Sequence, residues 1–233
     1  MASRTGLTGS KEFDERNNEM PVKITDRDLL LVIDVQNDFC PGGALPVPQG
    51  DEVVPAINRL AQSFQHIVLT QDWHPQGHLS FASSHSSVEL FQVIEVTYGQ
   101  QTLWPDHCVQ QSHGAEFHPA LDVQRAELIL RKGFRRTIDS YSAFQENDRE
   151  TKTGLAGYLR EREIGRIFLA GLAYDYCVRF SAVDAIEAGF SAIVIEDACR
   201  AIDLPGSVEA ARNEFSSSGV GRIHSDEIDL TLR

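Results

Sequence analysis

The sequence predicts a single α/β domain in which helices cover both faces of a six-stranded, mainly parallel sheet, a three-layer doubly wound sandwich of the Rossmann-like type. Two observations predict this fold. Short runs of residues that are apolar at every position recur along the 233-residue chain, as expected of strands covered on both faces. Between these runs lie segments with apolar residues along one helical face, and strand and helix in regular turn build parallel sheets.

The expected elements can be placed one by one along the chain. Six apolar runs predict the strands, at 29–33, 67–69, 128–130, 167–169, 192–195 and, more weakly, 220–223. Four amphipathic patterns predict the helices, at 53–64, 155–159, 178–186 and 208–215. A further strand pattern at 92–96 lies within a long stretch, 79–126, and stretches of that length in compact domains are usually functional.

The ends of the chain and its cysteines indicate how the domain is bounded and where it works. Residues 1–27 are polar and of mixed charge, so we expect a mobile extension before a single domain at 28–233. The first apolar run begins too late for a signal peptide and no run reaches the length of a membrane span, so a cytoplasmic protein is expected. Cys40, Cys108 and Cys199 form no CxxC pair and are expected to be reduced and structural.

The composition excludes several classes of protein. With 42% apolar and 24% charged residues, the chain has enough apolar material for a core and is not disordered throughout. Its 21 basic and 34 acidic residues give a net charge of -13, which argues against nucleic acid or an anionic membrane surface as the main partner. A small molecule is the expected partner, and a homo-oligomer is left open.

Polar side chains follow the ends of several predicted strands, which is where ligands bind in such sheets. Asp34 and Lys132 each follow an apolar run, and Cys177 lies in the turn after another. Because Cys177 begins a helical pattern, its sulfur can lie at the positive end of a helix dipole, where a thiolate is favoured. A nearby Lys132 would lower the pKa of this thiol further, and Asp34 could take its proton. The sequence therefore predicts a cysteine nucleophile, against the alternative that Cys177 only fills the core.

A second group of polar residues has the character of a metal site. Asp72, His74 and His78 form a DxHxxxH loop after the second predicted strand, and His107 follows further along the chain. A single histidine in a polar loop more often faces water, but a carboxylate and imidazoles clustered at a strand end suit one divalent ion. Zinc is the first choice by ligand type, and iron or manganese would accept the same ligands.

Six motifs in fixed order carry a resemblance to a known family. They are IDVQNDFCPGGAL, TQDWHPQGH, WPDHCV, RKGF, DSYSAF and GLAYDYCV. In this order they resemble the nicotinamidase/pyrazinamidase family of isochorismatase-like cysteine hydrolases, over about residues 29–225. The resemblance implies an isochorismatase-like fold and hydrolysis of nicotinamide to nicotinate and ammonia through a cysteine thioester, for NAD salvage. It also implies activity on pyrazinamide, and no nucleotide cofactor.

The resemblance further assigns roles to individual residues. It implies a catalytic triad of Asp34, Lys132 and Cys177. It implies a metal held by Asp72, His74 and His78, with His107 matching a further histidine of the metal site in some members. Finally, it implies a cis peptide bond between residues 172 and 173, an oxyanion hole, and a ring-binding pocket. The oxyanion hole is formed by the backbone N–H groups of Ala173 and Cys177, and the pocket by Phe39, Trp104, Tyr141 and Leu172.

Three rival functions stay open on the sequence. A related amidohydrolase would use the same triad on a carbamoyl or ureido amide. A metal-dependent hydrolase would activate water at Asp72, His74 and His78 and leave Cys177 incidental. A metal-binding protein would keep the fold without catalysis, since a fold does not guarantee a function.

Overall fold

The structure, a computed structural model, describes residues 20–230. Strands and helices alternate along most of these residues. In chain order the elements are β1 (Val22–Lys23), β2 (Asp28–Ile33), α1 (Val53–Ala61), β3 (His66–Asp72), β4 (Val93–Val96), β5 (Gly99–Thr102), β6 (Leu128–Lys132), α2 (Leu155–Glu161), β7 (Arg166–Leu172), α3 (Arg179–Glu187), β8 (Ser191–Arg200), α4 (Ser207–Ser218), β9 (Gly221–Ile223) and β10 (Ile228–Asp229). A π-helical turn, Tyr174–Val178, leads into α3.

Six of these strands form one parallel sheet in the order β6-β3-β2-β7-β8-β9. The chain moves outward from β2 through β3 to β6, then returns to β7 and moves outward in the other direction. The direction therefore reverses between β2 and β7, and ligands in such sheets bind at the carboxyl ends of the strands near this point. The predicted fold class is confirmed, and all six predicted strands are present.

The central strand β2 shows why its sequence is apolar at every position. Leu30 and Val32 belong to the core layer that contains α1, with Ile57 among its members. Leu29 and Leu31 belong to the opposite layer, which contains residues of α2, α3 and α4. Successive side chains of a strand point to opposite faces, so a strand between two helical layers needs an apolar residue at each position.

Four strands, β3, β6, β7 and β8, extend beyond their apolar runs at the carboxyl end. Strand β3 continues through polar residues to Asp72, and β8 continues to Arg200. The additional residues lie where the sheet meets the loops of its carboxyl edge. The strand pattern at 92–96 is confirmed as β4, which pairs with β5 in an antiparallel hairpin. The sequence pattern does not predict β5.

The amino-terminal region contributes to the fold on both sides of the predicted boundary at residue 28. Strand β1 lies before that boundary and pairs in parallel with β10, and Val22 and Ile24 pack against the core. The predicted mobile extension falls largely on residues 1–19, which lie outside the described residues. None of the helices within residues 20–230 has the length and apolar character needed to cross a bilayer.

Candidate active site

The carboxyl edge of the sheet brings together the three residues predicted as a triad. Asp34 follows β2, Lys132 ends β6, and Cys177 lies in the π-helical turn after β7. Lys132 Nζ lies 2.8 Å from Asp34 Oδ2 and 3.4 Å from Cys177 Sγ. All three are buried, with exposed fractions of 0%, 1% and 7% for Asp34, Lys132 and Cys177. Because β6 lies two strands away from β2, the long lysine side chain crosses the end of β3 to reach this point.

The position of Asp34 is fixed by its neighbours on two strands. Thr70 in β3 donates its hydroxyl to Asp34 Oδ1 at 2.6 Å, and its oxygen accepts the Asp34 backbone N–H at 3.2 Å. On the other side, Gly171 in β7 has a φ of +118°, and a Cβ there would lie 2.2 Å from the carbonyl oxygen of Ile33. Only glycine permits this close approach of β7 to β2.

Lys132 also links the predicted triad to the predicted metal site. Its ammonium lies 2.8 Å from Asp72 Oδ1 and donates to the carbonyl oxygen of Ser140 at 2.9 Å. Burial would lower the pKa of Lys132, but the carboxylates of Asp34 and Asp72 hold it well above its ordinary value. The ammonium of Lys132 is therefore a stable positive charge in contact with two carboxylates and with the thiol.

The electrostatics define the resting state of the nucleophile. Burial raises the pKa of the Cys177 thiol well above its ordinary value; Lys132 opposes this effect, and the carboxylates of Asp34 and Asp72 add to it. The expected lowering of this pKa by Lys132 and the helix start is thus outweighed. Burial also raises the pKa of Asp34, against the opposing effect of Lys132. Because burial raises the pKa of the Cys177 thiol, the thiol requires a base before it can attack.

Asp72, His74 and His107 form a compact set of possible metal ligands. Asp72 Oδ2 lies 3.1 Å from His74 Nε2 and 3.5 Å from His107 Nε2, and one ligand atom from each residue lies within 4.8 Å of the other two. The Nδ1 atoms face backbone carbonyls, at 2.9 Å from Gly133 O for His74 and at 2.8 Å from Pro105 O for His107. Such contacts hold the proton on Nδ1 and leave Nε2 free to bind a metal. A buried carboxylate with two oriented imidazoles fits a divalent ion.

His78 belongs to a second possible ligand group, which shares His74 with the first. It forms this group with His74 and Asp139. Nδ1 of His78 lies 2.8 Å from Ser80 Oγ, and its Nε2 lies 3.2 Å from the carbonyl oxygen of Ile138. Both ring nitrogens thus have protein partners, although the imidazole stays in contact with that of His74, with ring centroids 4.3 Å apart.

A narrow cavity opens onto the nucleophile. Its lining residues are Phe39, Leu45, Asp72, Trp104, His107, Asp139, Tyr141, Ala173, Tyr176, Cys177 and Ile202. Three of the four predicted pocket residues are therefore in its wall. The fourth, Leu172, is fully buried in the core and does not belong to this lining. The cis peptide bond between Leu172 and Ala173 is confirmed, and it places Ala173 between β7 and the turn that carries Cys177.

Sequence reasoning missed residues that hold the site in place. The Gln36 side chain accepts the Asp72 backbone N–H at 2.8 Å and donates to the Asp72 carbonyl oxygen at 2.8 Å and to that of Ala115 at 2.9 Å. A side-chain amide thus binds both backbone groups of Asp72 across the strand ends. One sequence feature could have indicated this role: Gln36 lies two residues after Asp34, in the same motif at the end of a strand. Tyr176 of the cavity wall had a similar signal, since it directly precedes Cys177 in its motif, whereas Ile202 lies outside every motif.

Known proteins resemble this chain along nearly its whole length. Residues 28–226 match the family of the isochorismatase domain. The nicotinamidase of Acinetobacter baylyi is 53% identical over 210 residues, which cover 90% of this chain and 98% of that protein. The structure of a nicotinamidase and pyrazinamidase of Acinetobacter baumanii is 52% identical, with a TM-score of 0.86 over 87% of this chain and 98% of that one.

Two further structures are similar and contain ligands. PnC1 of L. infantum, in complex with nicotinate, is 38% identical, with a TM-score of 0.79 over 90% of this chain and 99% of that one. The pyrazinamidase of Pyrococcus horikoshii, in complex with zinc, is 35% identical, with a TM-score of 0.70 over 85% of this chain and 99% of that one.

Proposed function

The chain belongs to the isochorismatase family, and we propose that it is a nicotinamidase that hydrolyses nicotinamide to nicotinate and ammonia. The observation that carries this proposal is the shared Lys132 ammonium, which lies against Asp34, Asp72 and Cys177. Asp72 and Cys177 also line the aromatic cavity. The A. baylyi nicotinamidase and the nicotinate-bound PnC1 of L. infantum support a pyridine carboxamide as the substrate.

Cys177 is proposed as the nucleophile and Asp34 as the base that activates it. Asp34 accepts the thiol proton, and Sγ forms a bond to the carboxamide carbon while the carbonyl double bond opens to an oxyanion. Lys132 stays protonated throughout, because its pKa is held well above the ordinary lysine value. Its charge stabilises the thiolate that forms 3.4 Å away.

The remaining steps return the site to its starting state. We assign the oxyanion to the backbone N–H groups of Ala173 and Cys177; one donor of this kind contributes about 3 to 4 kcal/mol in other hydrolases. When the C–N bond breaks, the proton held by Asp34 passes to the leaving nitrogen and ammonia departs. Asp34 then takes a proton from water, which attacks the thioester, and nicotinate leaves as Cys177 recovers its proton.

Asp72, His74 and His107 are proposed to hold one divalent metal ion, with His78 packed against His74 as support. Zinc suits a site of one carboxylate and two imidazoles, and the zinc-bound pyrazinamidase of P. horikoshii supports it, while iron or manganese would accept the same ligands. When bound, the ion supplies a Lewis-acidic point for the ring nitrogen of the substrate. His74 and His107 keep their Nε2 atoms turned toward that point through their Nδ1 contacts.

We propose that the enzyme works in the cytoplasm, as part of NAD salvage, with small neutral amides as partners. All four cysteines are free and buried, and a cysteine nucleophile needs a reducing compartment to remain a thiol. The net charge of -13 gives an anionic partner such as nucleic acid no electrostatic attraction, whereas a neutral amide requires none.

The experiment that tests this function is ammonia release by the purified protein, with the metal content measured on the same sample. Nicotinamide and pyrazinamide are expected to release ammonia, with about one divalent ion per chain. A carbamoyl and a ureido compound serve as matched controls for the rival amidohydrolase. Faster turnover of either control than of nicotinamide would contradict the proposed substrate, and full activity after alkylation of Cys177 would contradict the proposed nucleophile.

A further inference from the structure

The β4–β5 hairpin places one polar side chain inside the protein, next to the cavity. Gln101 in β5 is 1% exposed, whereas its neighbour Gln100 on the same strand is exposed. None of the six sequence motifs includes either residue. A buried amide on an otherwise peripheral hairpin requires partners, because an unpaired polar group in the interior is costly.

The partners of Gln101 belong to the cavity wall. Its Nε2 donates to Asp139 Oδ2 at 2.8 Å and to the Tyr141 hydroxyl oxygen at 3.2 Å, and a third contact joins it to the carbonyl oxygen of Thr102 at 2.8 Å. Its Oε1 accepts the hydroxyl of Tyr98 at 2.9 Å. Asp139 and Tyr141 both line the cavity that contains Cys177.

These contacts determine how Tyr141 presents its hydroxyl. The oxygen of Tyr141 accepts one N–H from Gln101 and another from Trp104 Nε1, at 3.1 Å. Neither nitrogen can accept in return, so the hydroxyl proton of Tyr141 must point away from both. Burial raises the pKa of this hydroxyl well above its ordinary value, so the proton stays in place. Tyr141 is thereby fixed as a hydrogen-bond donor in the wall of the cavity.

We infer that Gln101 is a positioning residue for substrate binding, which acts by fixing the orientation of Tyr141 and Asp139 in the cavity wall. The inference rests on the proposed function, since it takes the cavity as the place where nicotinamide binds. It assigns a role to the hairpin, which lies outside the triad and the metal ligands. Tyr98 supports the same arrangement, because its oxygen also accepts the Asp139 backbone N–H at 3.2 Å.

The test is a Gln101→Met variant, which keeps the length of the side chain and removes its hydrogen bonds. We expect the KM for nicotinamide to rise about five- to tenfold, the loss that corresponds to one or two hydrogen bonds. The kcat should stay within about twofold, because the wall binds the ground state and the transition state alike. Gln100→Met is the matched control, since it makes the same change at an exposed position on the same strand, and it should leave both constants unchanged.

A second variant and an optical signal separate positioning from simple loss of structure. Gln101→Glu keeps an oxygen for Tyr98 but places a carboxylate against Asp139, so its KM should exceed that of Gln101→Met. The chain has two tryptophans, and a Trp73→Phe background leaves Trp104 as the reporter. Because Trp104 Nε1 donates to Tyr141, the emission of Trp104 should shift when Gln101→Met is added and should not shift with Gln100→Met.

Two results would overturn the inference. One is a folded Gln101→Met protein with unchanged KM and unchanged Trp104 emission. The other is a fall in kcat and melting temperature with KM unchanged, which would mark Gln101 as structural only. If the wild-type protein released no ammonia from nicotinamide, the proposed function itself would fail. The emission of Trp104 would then still decide whether Gln101 positions Tyr141.

Discussion

Strand β2 begins with one buried aspartate, Asp28, and is followed directly by another, Asp34, and both are paired with a cation from another strand. At the amino end, Asp28 accepts two bonds from Arg166, at 2.8 and 2.7 Å, and two from Thr25, at 2.7 and 2.9 Å. At the carboxyl end, Asp34 lies 2.8 Å from Lys132. Burial and charge pairing are thus common to both residues, yet only Asp34 lies beside a thiol.

The difference lies in how each cation is shared. The guanidinium of Arg166 forms a two-pronged pair with Asp28, and its side chain is partly exposed. The ammonium of Lys132 is buried and lies against Asp34, Asp72 and Cys177 together. A buried ion pair therefore does not identify a catalytic site. One cation held between several acidic groups at the carboxyl edge of a parallel sheet is the more specific sign.

The largest effect is expected from the nucleophile at the carboxyl end. Cys177→Ala should lower kcat by at least about ten-thousandfold, because it removes the only group that forms the covalent bond. Metal content and nicotinamide binding should be retained, since the thiol is not among the ligand candidates. The matched change at the other end, Asp28→Asn, should leave turnover within about twofold. Ammonia release by a metal-loaded Cys177→Ala protein at the wild-type rate would exclude the thioester.

The shared cation should have the next largest effect. Lys132→Met should lower kcat/KM by about a thousandfold, since two buried carboxylates are left to repel the thiolate. Because the removal of one partner leaves buried charge uncompensated, the free energy of unfolding should also fall by about 3 to 5 kcal/mol. Steady-state kinetics and urea denaturation measure the two effects. Normal kinetics in a folded Lys132→Met protein would remove Lys132 from the mechanism.

His78 and His107 were both predicted as metal ligands but fall in different candidate groups of the structure, so their roles can be compared directly. His107→Ala should weaken the binding of a divalent ion by more than about a hundredfold, as expected for a direct ligand, and His78→Ala by about tenfold, as expected for a supporting group. Competition with a chelating dye measures both affinities without reference to activity. The reverse order of the two effects would make His78 the direct ligand.

The pH dependence of kcat/KM should report the base at the carboxyl end. Asp34 must be ionised to accept the thiol proton, and burial raises its pKa, although Lys132 opposes the rise. Activity should therefore fall as the pH falls through a midpoint above about 4, the ordinary aspartate value, by up to about tenfold per unit. Asp28→Asn should not move this limb. An acid limb below the ordinary aspartate value would contradict the assignment of Asp34.

The smallest effect is expected when the pair at the amino end is broken. Arg166→Met should lower the free energy of unfolding by about 1 kcal/mol, because Arg166 is partly exposed and Asp28 keeps its two bonds from Thr25. The kcat and KM for nicotinamide should match those of the wild type. A change in either constant would mean that the ion pair of Asp28 affects the catalytic site. We expect no such effect, because Asp28 and Asp34 share no partner residue.

The parts of the site that follow directly from the sheet were the parts the sequence could predict. A strand covered on both faces must be apolar throughout, so the polar residue that ends it stands out; Asp34, Asp72 and Lys132 were found in this way. Cys177 follows the same rule after β7. These predictions need only the local sequence and the rule that ligands bind at the ends of strands. The order of the six motifs then indicates the family.

The contacts between distant loops could not be predicted, even where the residues themselves were named. His107 joins Asp72 because its loop runs beside His74, with His74 N donating to the Cys108 carbonyl oxygen at 3.0 Å and Gln110 N donating to that of His74 at 2.8 Å. Local spacing placed His78, only four residues from His74, in the predicted set, and His107 was added to it as a more distant fourth residue. Gln101 was missed for a similar reason, since a glutamine in a polar hairpin gives no sign of burial.

The close approach of β7 to β2 has a consequence for how this protein tolerates change. Every amino acid except glycine would bring a carbon atom to within 2.2 Å of the Ile33 carbonyl oxygen at position 171. Any such substitution must push apart the two strands that carry the base and the nucleophile. The absence of a side chain at position 171 thus sets the spacing between the strand that precedes Asp34 and the strand that precedes Cys177. A methyl group there, far smaller than any substrate, would shift the distance on which proton transfer depends.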